Sequence, residues 1–112
     1  MEKKKKRAEI NFSIKLDNNN IPEDIQWIAS DDNNKINKAK AVMMSIWDGV
    51  DKRSLKIDLW TKEMMQEEMQ FFIFQILDSL AGTYEKSIGD QKIATELKKF
   101  AKKIGKMSNV LK

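Results

Sequence analysis

The sequence predicts an α+β fold: a small three-stranded antiparallel sheet with helices on one face, in the order β-β-α-β-α-α. Three observations support this class. Residues 9–16 and 54–60 alternate apolar and polar side chains, and residues 21–29 do so more weakly, which is typical of half-buried strands. After position 64, apolar residues instead recur every three or four positions, which is typical of helices. With 112 residues, the chain is long enough for one domain around one core.

The first two strands are predicted to form an antiparallel hairpin. Residues 9–16 alternate strictly. The apolar face of this strand consists of Ile10, Phe12, Ile14 and Leu16. Residues 17–20 read DNNN, a composition typical of turns because Asp and Asn side chains bond nearby backbone groups. A weaker second strand is expected over residues 21–29, with Pro22 at its start or on a sheet edge because proline has no N–H for the ladder.

The middle of the chain is predicted to contain a loop, a helix and a third strand. Residues 30–34 (SDDNN) have the composition of a loop. Residues 35–47 place apolar side chains at helical spacing, so we expect the first helix there, capped by the preceding asparagines and ended by the Asp-Gly pair that follows. Residues 54–60 alternate again, with Trp60 on the face opposite the three aliphatic side chains.

Two helices are expected in the last part of the chain. The longer one, over residues 64–88, has the largest apolar side chains and should form the main wall of the core. Its main stripe consists of Met65, Met69, Phe72, Ile73, Ile76, Leu80 and Tyr84. Asp90 is the predicted N-cap of the last helix, and Gly105 its predicted end.

The ends of the chain are expected to differ from its body. We predict a disordered basic tail over residues 1–7, a single domain over residues 8–104 and a frayed basic tail over residues 105–112. The first tail holds five basic side chains and one acidic, residues 97–112 hold six lysines and no acid, and residues 8–96 hold 10 basic and 16 acidic side chains. The net charge of +4 therefore does not indicate a nucleic-acid-binding body, and nucleic acid is disfavoured as a partner.

The composition disfavours most catalytic chemistry. The chain has no His and no Cys, which removes Ser-His-Asp and Cys-His nucleophiles, cysteine or histidine zinc sites and redox thiols. The four glycines form neither a phosphate-binding loop nor a dinucleotide motif. Lys56 and Asp58 are the interior pair to test, and the expected role is an ion pair on the sheet surface. We therefore expect no enzyme activity, cofactor, metal or small-molecule substrate.

The apolar runs are too short for a membrane-spanning helix. The longest dense one covers residues 69–77, whereas a bilayer span needs about 20 residues. The lysine-rich start is followed by Ala-Glu-Ile-Asn rather than by the apolar segment of a signal peptide. We expect a cytoplasmic protein, free or at the periphery of the inner membrane.

Several motifs together resemble one known family. In order they are EINFSIKLD, PEDIQWIASD, a segment ending SIWDG, LKIDLWTKEM, EEMQFF and AGTYEK. Over about residues 8–104 they resemble the gliding-motility protein C family (GldC) of gliding bacteria. The resemblance implies a small soluble protein, encoded beside a gliding-motility lipoprotein, that is accessory to the motility and secretion apparatus and has no enzymatic activity. Two features depart from the family: the length of the basic run over residues 3–7, and Met65 where a proline is expected to open the long helix.

Exposed aromatic side chains are the first candidates for binding a protein partner. At about 100° per residue, Phe71 and Phe74 lie roughly 120–150° around the long helix from its main stripe. Either the last helix covers them or they form a homodimer or partner interface. Trp60 raises the same alternatives on the sheet, where it either shields the outer face by itself or forms a partner surface with Lys62 and Ile28.

A lysine-rich face of the last helix is the second candidate. It consists of Lys98, Lys99, Lys102, Lys103 and Lys106. It is either a solvated face that suits the helix dipole or a surface for an acidic protein or phospholipid. The sequence thus predicts a non-enzymatic interaction module of gliding motility, which binds gliding machinery or a second copy of itself. The alternative is a binder of anionic surfaces, lipid or nucleic acid, through the basic ends; such contacts weaken steeply in 0.5 M salt, about the level at which charges are well screened.

Overall fold

A computed structural model describes residues 6–112 of the chain. The described residues form two compact units, residues 6–64 and residues 65–112. A single domain over residues 8–104 stays a prediction. The predicted disordered tail lies outside the described residues except for Lys6 and Arg7, which are exposed and belong to no helix or strand.

The described residues of the first unit form five strands in two antiparallel sheets. The strands are β1 (Ile10–Leu16), β2 (Pro22–Ala29), β3 (Asn37–Ala39), β4 (Ala41–Asp48) and β5 (Arg53–Trp60). One sheet has the order β1-β2-β3, and the other pairs β4 with β5. Together with the two helices of the second unit, this arrangement confirms the predicted α+β class.

The first hairpin is confirmed in both its strands and its pairing. Phe12 lies opposite Trp27, and Ile14 lies opposite Ile25, so the apolar residues of the two strands share one face. Ile25 is fully buried. Pro22 is the first residue of β2, the position where its missing N–H costs no ladder bond.

The predicted helix over residues 35–47 is wrong, because this segment forms β3 and β4. Apolar residues in it fit two periods at once, and a short run of this kind does not distinguish a helix from a strand. The structure follows the period of two, because every second residue of β4 lies opposite an aliphatic residue of β5. The opposed pairs are Val42 with Leu59, Met44 with Ile57 and Ile46 with Leu55.

The Asp48-Gly49 pair forms a hairpin turn rather than a helix end. The Asp48 carboxylate accepts a hydrogen bond from the Val50 N–H at 2.9 Å, and the Asp48 carbonyl accepts one from the Lys52 N–H, also at 2.9 Å. Lys52 has a left-handed backbone with φ of 53°. These bonds form the turn between β4 and β5. The Asp48-Gly49 pair, which the sequence predicts to end a helix, therefore connects two strands.

The second unit is an antiparallel pair of helices, α1 (Gln66–Ile88) and α2 (Gln91–Met107). Gly89, with φ of 83°, ends α1, and Asp90 caps α2 by accepting hydrogen bonds from the N–H groups of Lys92 at 3.0 Å and Ile93 at 3.3 Å. Both helices are therefore close to their predicted limits. Small residues are buried between them, which lets the two backbones approach closely. These residues are Ala81, Ala94, Ala101 and Gly105.

The last helix continues through Gly105, where the sequence predicts its end. Gly105 is buried, and the carbonyl of this residue accepts hydrogen bonds from the N–H groups of Val110 and Leu111, both at 3.0 Å. A Cβ at position 105 would stand 2.7 Å from the Leu111 side chain. Glycine is thus present because a side chain has no room, and the segment after α2 folds back onto the helix.

Candidate interaction surface

Trp60 lies at the edge of a shallow cavity in the first unit and is 53% exposed. The cavity, of about 250 Å³, lies where the end of β5 meets the turn between β1 and β2. Its lining consists of Asn20, Ile21, Pro22, Asp58, Leu59 and Trp60. We call Ile21, Pro22 and Trp60 the Trp60 surface, because these three side chains form an apolar group beside the cavity.

Backbone hydrogen bonds hold Trp60 at this place. The N–H of the next residue, Thr61, donates to the carbonyl of Lys40 at 2.8 Å, and Thr61 is buried. This bond continues the pairing of β4 with β5 by one residue. The backbone at the end of the strand is therefore anchored directly beside Trp60.

The turn that carries Ile21 is organised by Asp17. The carboxylate of this residue accepts hydrogen bonds from the N–H groups of Asn19 at 2.8 Å and Ile21 at 3.0 Å, and it lies 3.7 Å from Nζ of Lys62. The bond from the Ile21 N–H, then the one from the Asn19 N–H, and then the Lys62 charge lower the pKa of Asp17 below its ordinary value. The ion pair with Lys62 thus links the residue that follows Thr61 to the turn that carries Ile21.

Ile28 lies apart from Trp60. It pairs with Asn11 near the far end of β2, whereas Pro22 at the near end lines the cavity with Trp60. Six residues separate Ile28 from Pro22, a distance of about 20 Å along a strand. The structure therefore brings Lys62 to Trp60 but does not bring Ile28 there.

Phe71 and Phe74 have different surroundings, although their ring centroids are only 6.2 Å apart. Phe74 is half-buried against α2, where its ring lies close to Gly105. Phe71 is 44% exposed. The last helix thus covers Phe74, and Phe71 extends from the covered side of α1 toward solvent.

The lysine face of α2 is exposed and partly neutralised. Lys98 forms an ion pair with Asp78 of α1 at 3.6 Å, and Lys99 forms one with Glu96 at 3.5 Å, the latter between largely exposed groups. Such surface pairs contribute little to stability. Among the described residues, no acidic partner lies within ion-pair distance of the other three lysines. These are Lys102, Lys103 and Lys106.

Lys56 and Asp58, the pair that the sequence offers as a candidate for catalytic chemistry, have the geometry of a surface ion pair. Lys56 and Asp58 lie 3.5 Å apart on the same face of β5, and both side chains are at least a third exposed. Within residues 6–112, no three potential metal-ligating side chains come together. The described helices include none with the length and apolarity needed to cross a bilayer.

Sequence analysis did not identify Ile21 and Pro22 as part of the site. Strand alternation predicts Trp60 as a candidate, because it places the indole opposite the aliphatic face of β5. Its neighbours come from a turn almost 40 residues earlier in the chain, and no local pattern indicates that contact. The DNNN composition indicates the turn itself, in which the Asp17 carboxylate accepts a hydrogen bond from the Ile21 N–H, but it does not indicate that this turn lies beside Trp60.

These features define a small α+β protein that exposes aromatic side chains on both of its units and whose described residues assemble no metal centre. A family model described as "Gliding motility-associated protein GldC-like" matches residues 22–110. The chain therefore belongs to the GldC-like family of gliding motility-associated proteins, which confirms the resemblance found in the sequence. Neither the curated proteins nor the solved structures contain a match to this chain.

Proposed function

We propose that this protein is a non-enzymatic accessory protein of bacterial gliding motility that acts by binding another protein of the gliding machinery. Membership of a gliding motility-associated family supports the cellular role. The exposed indole of Trp60, held beside an apolar cavity, is the observation that supports the binding role. Tryptophan in a preformed pocket is among the most frequent centres of binding energy in protein interfaces.

The Trp60 surface has the composition of an interface centre with a polar rim. Ile21 is 38% exposed and lies beside Trp60, so the two side chains offer a compact apolar area. The Asp17–Lys62 ion pair borders this area and provides charges that fix the orientation of a partner without being buried at its centre. Because the turn and the strand end are both hydrogen-bonded, binding here requires little ordering of the backbone.

The test is the replacement of Trp60 by alanine in a gliding bacterium that carries this chain. Trp47 provides a matched control, because it lies on the same face of the β4–β5 hairpin at the other end and is 65% exposed. We expect Trp60→Ala to abolish or strongly reduce cell spreading and Trp47→Ala to leave it at the wild-type level. Immunoblots must show equal amounts of the two variants, so that lost spreading reports lost binding.

Site-specific photocrosslinking identifies the partner directly. A photoreactive residue at position 60 should capture a protein of the gliding machinery, whereas the same residue at position 47 should not. The complex should persist in about 0.5 M salt, since an aromatic contact is weakly screened and a contact made by the lysine face is strongly screened. Normal spreading of Trp60→Ala together with no capture from position 60 would refute the proposal.

A further inference from the structure

The outer edge of β1 is open along its whole length within the described part of the chain. β1 is the first strand of the β1-β2-β3 sheet, and all seven of its residues are exposed. Natural proteins protect such edges with proline, with several charges or with bulges. β1 has no proline and one charged residue, Lys15, and its pairing with β2 is irregular only at the Lys15–Leu16 step.

The backbone groups that face outward can be assigned from the bonds to β2. Ser30 donates its N–H to the Glu9 carbonyl at 3.0 Å, so the backbone of Glu9 faces β2. In an antiparallel ladder, successive residues alternate between the two sides. The backbone groups that face away from β2 therefore belong to Ile10, Phe12 and Ile14, which present three N–H and three C=O groups in regular order.

We infer that β1 pairs antiparallel with β1 of a second copy, with Phe12 at the two-fold axis, and that two sheets join into one. The joined sheet contains six strands. A two-fold pairing of this kind is isologous, so every contact occurs twice. The opposed pairs are Phe12 with Phe12, Asn11 with Ser13, Ile10 with Ile14 and Glu9 with Lys15.

Charge complementarity selects this register. Glu9 and Lys15 lie at the same distance on either side of Phe12, so self-pairing about Phe12 places each carboxylate opposite an ammonium group. A centre one residue earlier places Arg7 opposite Lys15, which repel each other. A centre one residue later places Glu9 opposite Asp17, which also repel each other. Of these three registers, only the one centred on Phe12 joins opposite charges.

The apolar side chains fit the same register. Ile10 is 63% exposed and Phe12 is 39% exposed in the single chain. Pairing about Phe12 places Ile10 against Ile14 of the second copy and the two Phe12 rings against each other, all on one face. Aromatic and β-branched cross-strand pairs of this kind stabilise antiparallel sheets.

Lys15 is available for this contact. Its ammonium group lies 3.9 Å from the carboxylate of Glu23, and both side chains are largely exposed, so that pair holds Lys15 only weakly. Trp60 takes no part in the pairing. The inference therefore stands or fails independently of the proposed binding of gliding machinery.

Charge reversal provides the first test, with molar mass measured by light scattering and sedimentation equilibrium. The wild type should be a dimer. Glu9→Lys and Lys15→Glu should each weaken the dimer about tenfold, because attraction becomes repulsion at both symmetric sites. The double variant Glu9→Lys/Lys15→Glu should dimerise as the wild type does. Mixing the two single variants should also restore dimers, since one chain then carries only lysines and the other only glutamates.

Lys92→Glu is the matched control for net charge, because Lys92 lies in the second unit, far from β1 in sequence. This variant should dimerise as the wild type does. Restoration in the mixture also shows that each single variant is folded. A monomeric wild type, or single variants that dimerise with unchanged affinity, would overturn the inference.

Cysteine crosslinking tests the register, since the chain has no cysteine of its own. In the inferred dimer the two Phe12 Cα atoms are about 5.5 Å apart, within disulfide range. Phe12→Cys should therefore form a disulfide-linked dimer quickly on mild oxidation. Asn11→Cys and Ser13→Cys are the controls. Asn11→Cys would crosslink faster than Phe12→Cys only in a register centred on residue 11, and Ser13→Cys only in one centred on residue 13. Faster crosslinking at position 11 or 13 than at position 12 overturns the inferred register.

Discussion

The ring of Phe74 lies against Gly105, so closely that a Cβ at position 105 would stand 2.9 Å from Cδ1 of Phe74. The Leu111 side chain closes the same space from the other side, at 2.7 Å from that Cβ. The contact joins the first half of α1 to the last turn of α2 and to the segment that follows it. It explains why a residue that commonly ends helices lies inside one here.

Gly105→Ala should therefore lower the free energy of unfolding by about 1 kcal/mol. Overpacking of a closed site costs about 1–3 kcal/mol, and the better helix propensity of alanine returns up to about 1 kcal/mol. Denaturant unfolding followed by far-ultraviolet circular dichroism measures the change. Gly82→Ala in α1 is the control: apart from its chain neighbours and the backbone of its own helix, nothing lies within 4 Å of the added Cβ, so it should raise stability by about 0.5–1 kcal/mol. Equal stabilisation by both changes would contradict the Phe74–Gly105 contact.

Asp90 should contribute to stability through its two capping bonds. It is the N-cap of α2, and its carboxylate is the acceptor for the N–H groups of Lys92 and Ile93. Asp90→Ala leaves these donors without a side-chain acceptor, and unfolding should require about 1 kcal/mol less. Asp90→Asn retains an acceptor oxygen and should stay within a few tenths of a kcal/mol of the wild type. If the asparagine variant loses as much as the alanine variant, the bonds are not the source of the effect.

Met65 offers only a thioether, a weak acceptor, to the N–H groups at the start of α1, which makes a stabilising change possible. The Glu68 carboxylate already accepts a hydrogen bond from the Met65 N–H at 3.2 Å, and Met65 has the extended backbone of an N-cap. Met65→Ser supplies a hydroxyl, a stronger acceptor for the N–H of Glu68 in the capping box, so it should raise the free energy of unfolding by about 0.5–1 kcal/mol relative to Met65→Ala. Thermal and urea unfolding of both variants gives the difference. No difference between serine and alanine would show that the hydroxyl does not reach the backbone.

The elements that the sequence predicts correctly each carry one strong pattern. β1 alternates without interruption, and α1 keeps its three-and-four spacing over six turns, so no second period competes. Residues 35–48 carry two patterns, and the outcome depends on β5, which comes later in the chain. Pairing with Leu55, Ile57 and Leu59 selects the strand, and no local property of the segment contains that information.

The candidate site shows the same division between local and distant information. Alternation places Trp60 on the outer face of β5, but Ile21 reaches it only through the position of a distant turn. Gly105 has the local signal of a helix end, yet Phe74 and Leu111 determine its role. Residue types and periods thus predict which side chains are candidates, whereas their neighbours follow from contacts between distant segments.

The low pKa of Asp17 makes the turn beside Trp60 sensitive to acid. Its ionised carboxylate is favoured in the folded state, first by the Ile21 N–H, then by the Asn19 N–H and then by Lys62. A carboxyl whose pKa is lowered by folding contributes stability above its unfolded pKa, and that contribution is lost as pH falls through the folded pKa. The difference in unfolding free energy between wild type and Asp17→Asn should therefore be constant near neutral pH and shrink below about pH 4.

Urea unfolding at a series of pH values between about 7 and 2 measures this difference. Asp31→Asn is the matched control, because among the described residues Asp31 accepts no hydrogen bond and forms no ion pair. Its replacement breaks no hydrogen bond or ion pair, so the stability difference for this control should be small. Tryptophan fluorescence recorded in the same series should change together with the loss of the Asp17 contribution, since the turn that Asp17 organises lines the cavity beside Trp60. A difference for Asp17→Asn that stays flat across the whole range would mean that the turn is held by its backbone alone.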